Sequence, residues 1–192
     1  MMSALLANRA LKKLIRHLRH LYYYALSDNS ALVDEAVHLQ PILLTGAGTI
    51  SLHRCTIGYF PSPGHWDGHC YLEAREATAE IVVADGVQMN NRATLIAERS
   101  SIRIDRDCLI GPFVQIYDSD FHAIEPGGRN SGVHICAPVH LERNVFVGAS
   151  VVILKGVTIG HDSVIAAGSV VIDCIPPRSI AAGVPARVIR SL

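Results

Sequence analysis

The aliphatic residues between positions 135 and 176 recur with a period of six. This stretch divides into seven consecutive blocks, ICAPVH LERNVF VGASVV ILKGVT IGHDSV IAAGSV VIDCIP, in which the first residue is always Ile, Leu or Val. A period of six scatters residues around an α-helix, because the helix turns by about 100° per residue. In an extended chain, the fifth residue of one block and the first of the next lie on the same side. The pattern therefore predicts one very short strand per block.

The residues between these strands favour sharp corners. Positions two to four read GAS, LKG, GHD and AAG in successive blocks, and Gly, Asp and small residues suit tight turns. The strands would stack in parallel about 4.8 Å apart, with the aliphatic residues in an inner column. The same period runs upstream from Val83 through VADGVQ MNNRAT LIAERS, and resumes at Ile104 after three extra residues, SIR. The sequence thus predicts a parallel β-helix.

Two segments interrupt the repeat. Residues 59–76, YFPSPGHWDGHCYLEARE, are rich in Pro and Gly, and residues 117–134 contain YDSDFHAI followed by the turn-forming EPGGRNSG. Both predict irregular loops. The second loop places His122 beside Asp118 and Asp120 on a segment that leaves a rigid scaffold, which is a common position for catalytic residues. From these residues alone, His122 is a catalytic base, a metal ligand or a solvated loop residue.

The N-terminal segment, residues 5–25, predicts an amphipathic helix. Its apolar positions recur at helical spacing: Leu11, Leu14, Ile15, Leu18, Leu21, Tyr22 and Ala25. Lys, Arg and His occupy the opposite face. The commoner arrangement is that the apolar face packs on its own protein or on a sister subunit. The alternative is peripheral contact with an anionic membrane surface.

The sixth position of each block points outward and carries apolar residues. Phe146 and Val164 are expected on one face of a triangular coil, Val152 and Val170 on a second, and His140 with Thr158 on the third. Contiguous outward apolar residues are typical of an interface. A cyclic assembly can bury two different faces of each subunit, so we expect a homotrimer with clefts between the coils.

Composition narrows the class of protein. The 192 residues contain 17 Lys and Arg and 17 Asp and Glu, so the formal charge is zero and no nucleic-acid partner is expected. Five cysteines without a CxxC pair indicate reduced thiols rather than a disulfide framework. With no apolar run long enough to span a bilayer, the expected location is the cytoplasm, with membrane association at its inner face as an addition.

The C-terminal sequence VFVGASVVILKGVTIGHDSVIAAGSVVIDCIPPRSIAAGVPARVIR resembles the hexapeptide-repeat acyltransferases. That family forms left-handed parallel β-helix trimers. The resemblance covers residues 40–192, with a tail at 176–192, and leaves residues 1–39 as a separate helical segment. IGYFPSP, YLEARE and DSDFH are most similar to the sugar and surface-polysaccharide O-acetyltransferases.

The resemblance implies acetyl-CoA as the donor, a sugar hydroxyl as the acceptor and His122 as the general base. It leaves Asp118, Asp120 or a backbone carbonyl to orient the imidazole. The candidate acceptor-binding residues are Asn90, Glu98, His134 and Phe146, of which Asn90 and Glu98 can equally be corner residues. The candidate donor-binding residues are Ala149, Ala167, Lys155, Arg187 and Arg190. The family often has Thr-Lys-Asp at positions 172–174, where this chain has Ile-Asp-Cys, and many relatives have Trp in place of Phe146.

Three other functions remain open. The first is N-acetylation of a nucleotide-linked amino sugar, which uses the same base and donor. The second is a zinc enzyme like the gamma-class carbonic anhydrases, but the spacing of His122, His134 and His140 does not match their paired ligands, so no metal is expected. The third is a β-helix that only assembles complexes.

Overall fold

The computed structural model describes residues 2–29 and 31–192, with side chains from residue 8 onward. It contains one long helix, α1 (Met2–Leu26), a short 3-10 turn at Pro126–Gly128, and twenty short strands. The predicted N-terminal helix is therefore confirmed. In the described part of the chain, no helix is long and apolar enough to cross a membrane.

The strands form three parallel sheets that make the three faces of a coil. Face one contains β1 (Ala31–Asp34), β4 (Thr49–Leu52), β7 (Glu80–Val83), β10 (Ser101–Ile104), β13 (Val139–Leu141) and β16 (Thr158–Ile159). Face two contains β2 (Val37–His38), β5 (Thr56–Ile57), β8 (Gln88–Met89), β11 (Leu109–Ile110), β14 (Phe146–Val147), β17 (Val164–Ile165), β19 (Ser179–Gly183) and β20 (Ala186–Ser191). Face three contains β3 (Ile42–Thr45), β6 (Cys70–Ala74), β9 (Thr94–Ala97), β12 (Gln115–Tyr117), β15 (Val152–Ile153) and β18 (Val170–Val171).

From β1 to β18 the chain visits the faces in the order one, two, three, as the six-residue period predicts, and β19 and β20 then both lie on face two. The inner column is buried at the expected first positions: Leu141, Val147, Ile153, Ile159, Ile165 and Val171. The expected outward pairs also align, since Phe146 pairs with Val164, Val152 with Val170, and His140 with Thr158. Ile135 is the exception. It is 61% exposed, because the loop that carries His122 rejoins the coil only at β13.

The β-helix begins earlier than the predicted boundary at residue 40. β1 pairs with β4, and β2 pairs with β5, so both strands belong to the first coil. At the other end, β20 turns back and pairs antiparallel with β19. The helical segment is therefore residues 2–26, and the coil extends from β1 to β20.

Two corners of the coil are wide and carry the irregular segments. The corner between faces two and three, here the 2–3 corner, includes residues 58–69 and 90–93. The corner between faces three and one, here the 3–1 corner, includes residues 98–100 and the loop 118–138. The three extra residues of the repeat, 101–103, lie in β10, which follows the corner 98–100 directly below the loop that carries His122.

Helix α1 packs on the coil through its polar side. Arg19 donates from Nη1 to the carbonyl of His65 at 2.7 Å, with a second bond to Gly68, and Tyr23 stacks on His69 at 4.2 Å. The apolar positions, including Leu14 and Leu18, are more than half exposed. Arg19 and Tyr23 thus fix the polar side of the helix to residues 65–69, and the apolar face is not buried on its own chain, so its packing on a sister subunit stays a prediction.

Candidate functional site

His122 is exposed on the loop of the 3–1 corner, and one of its ring nitrogens is fixed. Its Nδ1 lies 3.1 Å from the carbonyl oxygen of Arg129 in the same loop. A carbonyl only accepts, so Nδ1 carries the proton and Nε2 keeps a free lone pair. The second nitrogen of an imidazole held in this way can accept a proton from a bound hydroxyl.

Asp118 does not orient His122 in this structure. Its carboxylate is fully buried and accepts three backbone N–H groups, from Glu98 at 2.8 Å, Arg99 at 3.3 Å and Ser100 at 2.7 Å. These three residues form the 3–1 corner between β9 and β10. The expected catalytic role is corrected accordingly: Asp118 closes the corner beneath the loop, because all of its acceptor capacity faces those amides.

Asp120 is also engaged elsewhere. Its Oδ1 accepts a hydrogen bond from Lys155 Nζ at 2.8 Å, and both side chains are about three-quarters buried. The pair ties the base of the loop to the next coil. Lys155, expected to bind the donor, therefore lies at the 3–1 corner with Asp120. Of the three orienting groups left open by the sequence, the backbone carbonyl is the one that the structure places against His122.

Glu98 and His134 meet at the base of the same loop. Glu98 Oε2 lies 2.6 Å from His134 Nε2 and also accepts a hydrogen bond from Ser119 Oγ, while Glu98 Oε1 lies 3.6 Å from Arg75 Nη1. Both side chains are at least nine-tenths buried. The two expected acceptor-binding residues are thus brought together by the return of the loop to the coil.

Glu98 is held as a carboxylate. Burial alone would raise its pKa, but hydrogen bonds from Ser119 and His134, with the charges of His134 and Arg75, together place the pKa of Glu98 below its ordinary value. A charged carboxylate at the base of an open loop can accept hydrogen bonds from hydroxyl groups.

Glu98, His134 and Cys136 also offer the ligand types of a zinc site, with their donor atoms within 4.8 Å of one another. The local charge opposes a cation at this point. Arg99 Nη2 lies 2.7 Å from His134 Nε2, and Arg75 approaches Glu98 from the other side. Two guanidinium groups already balance the single carboxylate, so this cluster is better suited to polar recognition than to a divalent ion.

Asn90 and Phe146 share a cavity of about 200 Å³ at the 2–3 corner, which Tyr59, Leu109 and Gly111 also line. Asn90 Oδ1 accepts the backbone N–H of Asn91 at 2.7 Å, so Asn90 does act as a corner residue. Its amide nitrogen remains available to the cavity. Phe146 is 46% exposed and forms part of the wall on face two.

Ala149 and Ala167 occupy successive levels of the 2–3 corner. Across residues 2–29 and 31–192, neither backbone N–H donates a hydrogen bond to a protein group. The corner is tight because a Cβ on Gly148 would come within 2.5 Å of the nitrogen of Ala167. A column of unpaired amides along a tight corner can bind the carbonyl groups of an extended ligand.

The tail arginines lie on β20, which is attached to face two. Arg187 pairs with Asp173 at 2.9 Å, and both side chains are at least 60% exposed. Arg190 lies in register with Ile180 on β19 and is also exposed. Both guanidinium groups are accessible to an anion in solution.

The candidate residues therefore form two groups. His122, Glu98, His134, Asp120 and Lys155 lie at the 3–1 corner. Asn90, Phe146, Ala149 and Ala167 lie at the 2–3 corner or beside it, towards the tail. The four residues of β9 alone separate the corners by roughly 13 Å. The two groups therefore lie on different corners of the same coil, one on each side of face three.

The sequence did not indicate several residues that shape the loop. The Arg75 guanidinium lies 5.1 Å from the ring centroid of Phe121, and Tyr117 contacts the edge of the same ring. Arg129 supplies the carbonyl that holds His122. Only the YLEARE segment contained a signal for one of them, Arg75. A backbone carbonyl has no sequence signature.

The comparison with family models matches residues 138–173 to the bacterial transferase hexapeptide family (six repeats). Among curated proteins, the chain is 41% identical over 97 residues to the galactoside O-acetyltransferase of Escherichia coli K12, covering 50% of this chain and 47% of that protein. It is 37% identical over 107 residues to the galactoside O-acetyltransferase of Lactococcus lactis, covering 56% and 51%. The chain spans about half the length of the curated relatives it matches.

Solved structures match over more of the chain. A hexapeptide-repeat acetyltransferase from Vibrio cholerae complexed with acetyl coenzyme A is 27% identical, with a TM-score of 0.58, covering 96% of this chain and 84% of that one. A maltose O-acetyltransferase from Clostridium difficile 630 is 26% identical, with a TM-score of 0.57, covering 98% and 88%. The similarity to these structures confirms the prediction that the β-helix is left-handed.

Proposed function

We propose that this chain is a member of the hexapeptide-repeat transferase family and an acetyltransferase that moves the acetyl group of acetyl-CoA to a sugar hydroxyl. The observation that carries the proposal is the geometry of His122. Its Nδ1 is held by the Arg129 carbonyl, and its Nε2 is left free on an exposed loop. The names of the relatives, which act on galactosides and maltose, support the sugar acceptor.

The proposed reaction is a direct transfer in which His122 moves one proton. Nε2 takes the proton from the acceptor hydroxyl as the oxygen attacks the thioester carbonyl carbon. The C–S bond then breaks, and the imidazolium returns the same proton to the departing thiolate of CoA. Arg129 keeps the imidazole in the required tautomer throughout, because its carbonyl holds the proton of Nδ1.

The donor and the base are proposed to meet between two copies of the chain. The unpaired amides of Ala149 and Ala167 follow the 2–3 corner, and Arg187 and Arg190 continue the line towards the tail. These groups suit the amide-containing arm and the phosphates of CoA. His122 lies at the other corner, so a cyclic homotrimer that sets the 3–1 corner of one subunit against the 2–3 corner of the next brings base and thioester together.

The acceptor is proposed to lie at the base of the loop, where Glu98 and His134 can bind its other hydroxyl groups. Glu98 is held as a carboxylate and lies beside His134 at the 3–1 corner. In the assembled trimer, Asn90 and Phe146 of the neighbouring copy would face the same space. The expected setting is the synthesis of a surface polysaccharide or related glycan in the cytoplasm.

The direct test is acetyl transfer by the purified protein, followed as release of the CoA thiol. His122→Ala is expected to lower kcat by about 10²- to 10⁴-fold, the usual contribution of a general base. His53→Ala, on a coil remote from the loop, is the matched control and keeps full activity. Full activity in His122→Ala, or failure of the wild-type protein to bind CoA, would contradict the proposal.

The acceptor class is tested by a screen read by mass spectrometry. Oligosaccharides, monosaccharides and nucleotide-linked amino sugars are incubated with acetyl-CoA, and the products are examined for the mass of one added acetyl group. Acetylation of a sugar that lacks an amine supports O-transfer. Modification confined to nucleotide-linked amino sugars would replace the proposed acceptor with the N-acetyltransferase alternative, while leaving the role of His122 intact.

A further inference from the structure

Helix α1 presents a continuous apolar stripe to the solvent. The stripe has the spacing of one helix face and consists of residues that are 41% to 60% exposed: Leu11, Leu14, Ile15, Leu18, Leu21 and Tyr22. A contiguous apolar surface of this kind on a described, ordered helix is typical of a contact with another molecule or with lipid.

The contacts between α1 and the coil lie mainly outside this stripe. Arg19 and Tyr23, which anchor α1, lie on the opposite side of the helix and contact the carbonyls of residues 65 and 68 and the ring of His69. Arg9, Lys12, Lys13 and Arg16 line a groove of about 580 Å³ together with Phe60, His65 and Trp66. The helix is thus fixed mainly by its polar side, and the stripe stays about half exposed along its length, although Leu21 also lines a cavity with Ile42 and Leu44 of β3.

The charge of the helix is entirely of one sign. Residues 1–26 contain five Lys and Arg residues and no Asp or Glu. Within residues 8–29 and 31–192, none of Arg9, Lys12, Lys13, Arg16 and Arg19 forms a salt bridge. Like charges at spacings of three and four residues destabilise a helix. An anionic partner beside the stripe would remove this repulsion.

We propose that α1 docks the protein on an anionic membrane surface. The apolar stripe would enter the boundary between headgroups and acyl chains, and the long, exposed side chains of Lys12 and Lys13, one on each flank of the polar side, would extend to the negative headgroups. Each such cation strengthens the attraction to an anionic bilayer. Pairing of α1 with α1 of a second copy is less favourable, because the identical helix also lacks acidic residues and cannot neutralise the charge.

The test is co-sedimentation of the full chain with lipid vesicles. Wild-type protein is mixed with vesicles of phosphatidylcholine alone or of phosphatidylcholine with phosphatidylglycerol. It is expected to sediment with the anionic vesicles at least about tenfold more strongly than with the neutral ones, and to be released by salt. Absence of binding to the anionic vesicles overturns the proposal.

Two variants separate the stripe from the charge. Leu14→Glu with Leu18→Glu is expected to reduce binding to anionic vesicles by more than about tenfold, because two carboxylates would enter the acyl boundary. Lys12→Gln with Lys13→Gln is expected to weaken binding in low salt and to lessen its salt dependence. Val184→Glu, an equally exposed apolar site in the tail turn, is the matched control and binds like the wild type.

The mass of each variant in solution decides between lipid and a second copy. Light scattering is expected to give the same assembly for the wild type and for Leu14→Glu with Leu18→Glu, while circular dichroism reports that the fold is kept. If the double variant dissociates into smaller species, the stripe is a subunit interface and the proposal is overturned. Unchanged vesicle binding by the double variant overturns it as well.

Discussion

Asp118 combines complete burial with three hydrogen bonds from successive backbone amides, at residues 98, 99 and 100. Without the carboxylate, this corner would leave these N–H groups to water. The carboxylate instead holds them in one arrangement, directly beneath the loop that carries His122. Under the proposed function, Asp118 therefore acts through the shape of the corner and not through contact with the imidazole.

Asp118→Asn is expected to destabilise the fold by about 2 to 4 kcal/mol, because the new NH₂ group would face buried backbone donors and leave amides unpaired. The measurement is the midpoint of urea unfolding. Asp107→Asn is the matched control, since Asp107 is exposed and already has the positive φ that Asn tolerates. Equal stability of the two variants would show that Asp118 does not hold the corner.

The sequence indicates His122 as a candidate general base, but it does not indicate which of the possible groups orients the imidazole. A histidine on an irregular segment between regular repeats is visible as a break in the period. The partner is the carbonyl of Arg129, seven residues further along the same loop. Every residue has such a carbonyl, so which one contacts His122 depends on the path of the loop. Asp118 and Asp120 were candidates because their side chains are charged and lie near His122 in the sequence.

At the scale of elements, the period of six predicted the strands because each repeat meets the same environment on the same face. The buried first positions and the aligned outward pairs follow from that regularity. The start of the coil was placed too late, since β1 and β2 lie in segments without the period. Helix α1 was predicted as an element, but amphipathic spacing shows which side is apolar and not what covers it.

Gly148→Ala is expected to lower stability by about 1 to 3 kcal/mol, because the added Cβ would meet the backbone of the next coil at 2.5 Å and push the stacked corners apart. Thermal or urea unfolding measures the loss. Binding of CoA should weaken in parallel if the amides of Ala149 and Ala167 contact it. Gly127→Ala, where a Cβ would meet nothing within 4 Å, is the matched control. An unchanged midpoint for Gly148→Ala would refute the tight-corner account.

At the scale of the whole molecule, the proposed trimer would bring the two groups of candidate residues into one site shared by neighbouring copies. His122→Ala and Asn90→Ala subunits, unfolded together and refolded as an equal mixture, are expected to regain about one quarter of the wild-type activity, since one random site in four has both native residues. The activity is followed as thiol release. Each variant refolded alone is the control. Recovery no greater than in those controls would place the site within a single subunit.

The antiparallel strand β20 also affects whether molecules of this protein can associate end to end. A parallel β-helix has an open strand edge at each end, and such edges invite further coils from other chains. β20 reverses direction against β19 and brings Arg187 and Arg190 to the outer edge of face two. A second molecule cannot continue the parallel register on that strand, and its own arginines would be repelled there. The reversal at Val184 thereby limits end-to-end fibre growth on this face and gives the solenoid a fixed length.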